Sequence, residues 1–227
     1  MFFLRRLYDK VSKKFPLIIQ IRGWIQDVTG IHWRASRYQY LDEYVQKIKP
    51  KNILEIGTWD GRNAMSMIKK ALLFQDQVDY YGFDLFEDFF NNDFNDEFSI
   101  SKAPPRKSVV KKRLEKTGAN IHLFQGDTRI ILPEKIPELP CMDFIFIDGG
   151  HSVETIRSDW EAVKKLMHQD TIVLFDDYWN RDDAGCKRII DEMNKSEYQI
   201  EILPVQDTFR KEWGRLKINF VKVSKRS

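Results

Sequence analysis

The chain has 227 residues, 42% of them hydrophobic, which suits one compact domain with a sizeable core and excludes a disordered protein. Its 37 lysines and arginines nearly balance 34 acids, and the interspersed signs argue against a basic stripe that binds nucleic acid. Two widely separated cysteines, no signal peptide and no 18-residue apolar stretch predict a cytoplasmic protein without a disulfide framework or a membrane span.

The first predicted element is a basic amphipathic helix within residues 2–15. Apolar residues recur there at helical spacing, basic residues lie between them, and Pro16 ends the pattern. Such a helix more commonly packs against its own domain or a second subunit, and peripheral contact with a membrane surface is the alternative. We therefore predict a helical extension over residues 1–30. Together with a phenylalanine-rich segment at 86–105, its apolar stripe favours a homo-oligomer.

Residues 31–227 are predicted to form one α/β domain. A helix at 36–48 precedes a buried strand at 52–56, after which strand and helix patterns alternate. Further strands are predicted at 78–83, 121–124, 142–147 and 171–175, and further helices at 62–74, 106–117, 153–167 and 184–195. Strand patterns at 199–204 and 216–223 are joined by a short link, which favours an antiparallel edge pair. The prediction is a mostly parallel seven-stranded sheet with helices on both faces.

Acidic residues follow the predicted parallel strands, at the edge where open α/β sheets bind ligands. The loop after the first strand has glycines only at Gly57 and Gly61, so it lacks both the dinucleotide-binding and the P-loop patterns. Those glycines leave room for an adenosine that carries an amino-acid tail. Asp84, after the second strand, is placed to accept hydrogen bonds from both ribose hydroxyls.

Four segments carry a family resemblance: ILEIGTWDG, YYGFDLF, LFQGDTRIILPE and MDFIFIDGGH. Together they resemble the motifs of class I S-adenosylmethionine-dependent methyltransferases, which implies a Rossmann-like methyltransferase fold. Trp59 stands where that family usually has its middle glycine. The metal-dependent O-methyltransferases, of the catechol type and of the macrocin or mycinamicin sugar type, commonly lack that glycine too. The resemblance therefore points to that subfamily.

The resemblance also implies roles at the strand ends. Glu55 and Gly57 would lie along the methionine part of the cofactor, Asp84 on the ribose and Asp127 near the adenine amino group. Each has a plainer alternative, because glycines make tight turns and an aspartate often caps a helix. The full set expected to bind S-adenosylmethionine is Glu55, Gly57, Thr58, Gly61, Asp84, Asp127 and Asp148.

A metal site is expected where the fourth and fifth strands end. Asp148, Asp176 and Asp177 should meet there, and crowded carboxylates repel each other unless a cation lies between them. Magnesium or another divalent cation prefers oxygen ligands, and the matching family positions are metal ligands. The alternative is that Asp148 lies in an ordinary turn and the other two acids cap the next helix.

Asp148 and His151 are the predicted catalytic residues. Gly149 and Gly150 let the chain turn sharply, so that the His151 ring can face back toward the site. By the resemblance to the sugar-type enzymes, this histidine is a general base. A histidine that caps a helix or faces solvent is the alternative.

The predicted function is methyl transfer from S-adenosylmethionine to a hydroxyl of a small molecule, such as a sugar, a glycoside or a catechol-like ring, with the help of a divalent metal. A nucleic-acid methyltransferase would instead carry an Asn/Asp-Pro-Pro-Tyr/Phe motif after the fourth strand, and the Asp148-Gly-Gly-His sequence does not match it. A non-catalytic cofactor-binding module would be expected to lose one of the acids, and none is missing. No nucleic-acid partner is expected.

Overall fold

The computed structural model describes residues 35–87, 105–211 and 213–226. The chain from Ser36 onward forms one compact unit. The predicted helical extension over residues 1–30 and most of the segment 86–105 lie outside the described residues.

The domain is built on one sheet of seven strands. They are β1 Asn52–Ile56, β2 Asp79–Asp84, β3 Asn120–Gln125, β4 Met142–Ile147, β5 Met167–Trp179, β6 Tyr198–Lys211 and β7 Gly214–Lys225. The strand order is β3-β2-β1-β4-β5-β7-β6. Neighbouring strands from β3 to β5 are parallel, and β7 is antiparallel to both β5 and β6. This architecture confirms the predicted α/β sheet with its antiparallel edge.

Six α-helices surround the sheet within the described residues: α1 Gln39–Ile48, α2 Arg62–Ala71, α3 Lys107–Glu115, α4 Thr128–Lys135, α5 Val153–Val163 and α6 Lys187–Glu192. Short 3-10 helices lie at Ser36–Tyr38, Ile136–Glu138 and Lys164–Leu166. Helix α4 was not predicted from the sequence, because it contains Pro133, a residue that normally argues against a helix interior. The Asp127 side chain caps this helix by accepting the Arg129 backbone N–H.

The core lies on both faces of the sheet. Paired residues Ile53 and Phe144 contact a cluster that includes residues of α1, α2 and α3. The next pair along the strands, Leu54 and Ile145, contacts the opposite cluster, which includes residues of α5 and α6. All four side chains are fully buried, and each contributes about 1.5–3 kcal/mol relative to an exposed position. Burial on both faces explains why apolar residues occupy successive positions in these strands.

β5 extends beyond its predicted end because it pairs with β7 past the carboxyl end of β4. The register of the β5 and β7 pairing shifts between Phe175 and Tyr178. Asp177 lies in this irregularity with a left-handed φ of 58°. The bulge therefore changes the course of the strand at the edge where the candidate site lies.

None of the helices in the described part of the chain has the length and apolar character needed to cross a bilayer.

Candidate active site

Three residues of the loop after β1 have a left-handed backbone conformation, with φ of 88° at Gly57, 43° at Trp59 and 75° at Gly61. A Cβ atom on Gly57 would lie 1.9 Å from the carbonyl oxygen of Asp148, so only glycine fits there. Trp59 holds a conformation that glycine adopts far more readily. Its backbone N–H donates to Asp84 Oδ2 at 2.7 Å, which ties the loop to the end of β2.

Asp84 ends β2 at the position predicted for a ribose contact. Besides the Trp59 N–H, its carboxylate accepts the backbone N–H of Phe86 at 2.9 Å. Burial raises the pKa of Asp84 even though these hydrogen bonds act to lower it. A carboxylate has about four acceptor positions, so a ligand that donates hydrogen bonds can still bind.

Glu55 and Thr58, both expected to bind the cofactor, have their side chains in the interior. Glu55 is 0% exposed and accepts a hydrogen bond from the Tyr80 hydroxyl. Thr58 Oγ1 lies 3.1 Å from the same hydroxyl. Burial, followed by the charge of Glu55, raises the pKa of Tyr80 well above its usual range. These side chains join β1 to β2 within the core instead of lining the open edge.

Asp127 lies at the start of α4, where the resemblance places a contact to adenine. Its carboxylate accepts the backbone N–H of Arg129 at 2.9 Å and pairs with the Arg129 guanidinium. Burial acts to raise the pKa of Asp127, but the hydrogen bonds from Arg129 lower it below its usual value. Asp127 is therefore a fixed, ionised acceptor at the strand edge.

The hydroxyl of Tyr38 brings two of the predicted metal ligands together. Its oxygen lies 2.8 Å from Oδ2 of Asp148 and 2.8 Å from Oδ2 of Asp176. The hydroxyl has one hydrogen to share between the two carboxyl oxygens, so it holds Asp148 and Asp176 side by side. Burial raises the pKa of Asp148 well above its usual range, and the charges of Asp176 and Asp177 act in the same direction. Burial among these acids thus favours the neutral form of Asp148.

Arg37 is the cation of this acid cluster, and the sequence analysis did not single it out. Its Nε and Nη2 donate to the two oxygens of Asp176 at 2.7 and 2.8 Å, and Nη1 donates to Asp207 Oδ2 at 3.2 Å. Asp207, on β6, also accepts the backbone N–H groups of Ser36 and Arg37. Although burial acts to lower it, the charge of Asp176 keeps the pKa of Arg37 above its ordinary value.

His151 and Asp177 form a second pair beside the cluster. His151 Nε2 lies 3.1 Å from Asp177 Oδ2, and Trp179 Nε1 donates to Asp177 Oδ1 at 3.0 Å. The rings of His151 and Trp179 stack with centroids 5.5 Å apart. Burial acts to raise the pKa of Asp177, but the hydrogen bond and charge of His151 lower it below its usual value. The carboxylate of Asp177 therefore orients the His151 ring through its Nε2 atom.

The expected metal site does not form from these acids. Among the described residues, no group of three His, Cys, Asp or Glu side chains is arranged to hold a metal ion. Asp176 supplies the physical reason, because Oδ1 accepts from Arg37 and from the Asp177 N–H while Oδ2 accepts from Arg37 and Tyr38. These contacts use all four acceptor positions of a carboxylate. The donor set of Asp148, Asp176 and Asp177 therefore does not fit a divalent cation.

The sequence matches a family model described as a methyltransferase domain over residues 54–178, which is more than half of the chain. The chain belongs to this methyltransferase family. No curated protein sequence matches the chain.

Solved structures from several bacteria share the fold. A protein from Klebsiella pneumoniae aligns with a TM-score of 0.60 at 17% identity, covering 98% of this chain and 97% of that one. The O-methyltransferase from Bacillus cereus in complex with SAH aligns at 0.57 and 15%, covering 97% of each chain. The O-methyltransferase TomG from Streptomyces achromogenes in complex with SAM aligns at 0.55 and 15%, covering 85% and 82%. Family and fold together confirm the recognition of a class I methyltransferase.

Proposed function

We propose that the protein transfers a methyl group from S-adenosylmethionine to a hydroxyl of a small molecule, such as a sugar, a glycoside or a catechol-like ring. The observation that carries this proposal is the pair of His151 and Asp177 at 3.1 Å, beside Asp148. His151 follows β4 and Asp177 lies in the irregularity of β5, at the same edge of the sheet as the acceptors Asp84 and Asp127. A proton acceptor next to a cofactor edge is what methyl transfer to a hydroxyl needs.

The groups at the strand ends suit S-adenosylmethionine. Asp84 and Asp127 offer acceptors, and the ribose hydroxyls and the adenine amino group of that cofactor are donors. Gly57, Gly61 and Asp148 belong to the loops that complete this edge. The complexes of the Bacillus cereus and Streptomyces achromogenes enzymes with SAH and SAM support the same choice. When bound, the cofactor supplies an electrophilic methyl group on a sulfonium.

The chain's own residues supply proton transfer and orientation. A hydroxyl is a weak nucleophile until a base takes its proton, and in this proposal His151 is that base. Asp177 fixes the ring and stabilises the imidazolium that forms, while Trp179 packs against it. Asp148 adds a half-buried carboxyl near the base. A divalent metal is not part of this proposal, because Asp176 is already saturated by Arg37, Tyr38 and its neighbour's N–H.

The remaining expectations stay predictions. Homo-oligomerisation and the alternative of peripheral membrane contact depend on residues 2–15 and 86–105, which lie mainly outside the described residues. A cytoplasmic location depends on the sequence alone. Light scattering of the full chain measures the oligomeric state directly.

Calorimetry with S-adenosylhomocysteine, followed by transfer of labelled methyl from S-adenosylmethionine to a panel of glycosides and catechols, tests the proposed function. We expect binding of the cofactor product and label in at least one hydroxyl compound. Binding without transfer to any acceptor would favour the non-catalytic module, and label in RNA would favour the nucleic-acid alternative. An absence of S-adenosylhomocysteine binding would reject the proposal altogether.

A further inference from the structure

The acid cluster formed by Asp148 after β4 and by Asp176 and Asp177 within β5 contains its own buried cation, Arg37. We infer that Arg37 supplies, from within the chain, the positive charge that the acids would otherwise take from a divalent metal. The protein is then a metal-independent methyltransferase. The inference rests on the proposed function only in calling the protein a methyltransferase. The position of the positive charge follows from the contacts of Arg37 alone.

Arg37 occupies the position of a bridging cation. Its Nε and Nη2 bind Asp176 through both carboxylate oxygens at 2.7 and 2.8 Å, and its Nη1 binds Asp207 at 3.2 Å. Tyr38, the next residue, reaches Asp148 at 2.8 Å and so extends the same network to the loop after β4. A planar guanidinium suits such paired contacts to carboxylates, which a point charge does not reproduce.

The guanidinium is held too firmly to act as a temporary occupant. Arg37 is 5% exposed, and its charged carbon lies 4.8 Å from the centre of the Tyr38 ring and 5.7 Å from that of Phe220. Its backbone N–H also donates to Asp207 Oδ2 at 3.0 Å, so main chain and side chain are bound to the same carboxylate. Withdrawal of this side chain would leave buried carboxylates without compensation, which is strongly unfavourable.

A metal would have to displace these contacts. Each oxygen of Asp176 already accepts two hydrogen bonds, so coordination requires the loss of at least one of them. A cation placed there would also lie close to the positive charge of Arg37 and be repelled by it. Activation of the methyl acceptor is therefore left to His151 and Asp177.

Titration with Mn²⁺, followed by the electron paramagnetic resonance signal of the free ion, tests the inference without cofactor or acceptor. We expect the wild-type protein to bind no Mn²⁺ at a specific site. R37M should bind Mn²⁺ at one site, with an affinity at least about tenfold above the weakest that the titration detects, because its carboxylates have lost their counter-charge. The double variant R37M/D176N should lose that gain. R157M, which breaks the exposed pair of Arg157 with Glu192, is the control and should behave as wild type.

Specific Mn²⁺ binding by the wild type that D176N abolishes would overturn the inference. A folded R37M that gains no affinity for Mn²⁺ would also overturn the inference, since Arg37 would then not occupy the position of a cation. If thermal melting shows that R37M does not fold, the wild-type titration decides alone. A failure of methyl transfer in every assay would leave the Mn²⁺ result unchanged, so the two proposals fail separately. Once an acceptor is known, transfer should proceed at its full rate in excess chelator.

Discussion

A Cβ atom on Gly57 would lie 1.9 Å from the carbonyl oxygen of Asp148, so the loops after β1 and β4 meet where no side chain fits. The Asp148 N–H donates to the Ile56 carbonyl at 2.9 Å, which closes the same contact from the other side. This contact fixes the distance between the proposed cofactor loop and the acid cluster. The glycine is thus needed for the architecture, whatever it also does for a ligand.

The variant G57A should lose more stability than G118A. The two glycines have nearly equal φ, 88° and 84°, so the left-handed backbone costs alanine about 1–2 kcal/mol at either position. A Cβ on Gly118 meets nothing within 4 Å, whereas G57A must also displace the backbone of Asp148. That displacement should add roughly 1–3 kcal/mol. Urea unfolding measures both variants, and equal losses would contradict the steric explanation.

The variant D84A should weaken binding of S-adenosylhomocysteine by about 1–3 kcal/mol, because the ribose hydroxyls lose their charged acceptor. D79A is the matched control, since Asp79 lies at the opposite end of the same strand and bonds Asn120 at 2.9 Å. Isothermal calorimetry measures both affinities. Circular dichroism should accompany it, because Asp84 also accepts the Trp59 N–H. Unchanged affinity in folded D84A would remove Asp84 from the proposed cofactor site.

The variants D148N and D177N should change stability in opposite directions. The pKa of Asp148 is raised in the folded state, so its contribution is fully present below the unfolded pKa and is lost as pH rises. D148N does not lose this contribution, so its free energy of unfolding should exceed that of the wild type above about pH 4. The difference should grow by about 1.4 kcal/mol per pH unit up to the folded pKa of Asp148. We expect the difference to vanish in acid.

Asp177 should give the opposite dependence of stability on pH. Its pKa is lowered in the folded state, so its contribution is present above the unfolded pKa and is lost as pH falls through the folded value. D177N should therefore be less stable than the wild type at neutral pH and should approach it in acid. Thermal melts from about pH 3 to about pH 9, which span the ordinary carboxyl pKa of about 4, would record both profiles. Profiles of the same sign would contradict the assigned charge states.

The variant H151A should reduce kcat by ~100-fold to 10,000-fold, the usual contribution of a positioned base, with little change in S-adenosylhomocysteine affinity. The loss should shrink at high pH, where the acceptor hydroxyl ionises without help. H168A is a matched control, because His168 Nε2 lies 3.0 Å from Asp143 in a second histidine and carboxylate pair. That pair lies near the amino ends of β4 and β5. Full activity in H151A would assign proton removal to another group.

Much of the fold followed from the sequence, because buried parallel strands are continuously apolar and their carboxyl ends share one edge. Residues 52–56 and 142–147 were predicted with the bounds that the structure has. The length of β5 was underestimated because its end is set by pairing with β7, a tertiary contact. Helix α4 was missed because Pro133 masks its pattern.

The site was less predictable than the sheet. The sequence located the acids at the strand ends, but it gave no sign that Arg37 and Asp207 would meet across 170 positions of chain. An Arg-Tyr pair at the start of the domain's first helix was the available signal, and only the fold reveals its partners. Glu55 and Thr58 belong to a recognisable motif, yet the packing of Tyr80 turns their side chains inward.

The contact between Arg37 and Asp207 also bears on the order in which the chain acquires its structure. Asp176 lies 139 positions after Arg37, and Asp207 lies 170 positions after it. The ribosome therefore synthesises Arg37 long before either of its acidic partners. Closing loops of that length is entropically unfavourable and slow, and it follows the formation of local helices and hairpins. A nascent chain that lacks β6 therefore has no Asp207 to bind Arg37. The part of the molecule that performs the chemistry should be among the last to become ordered.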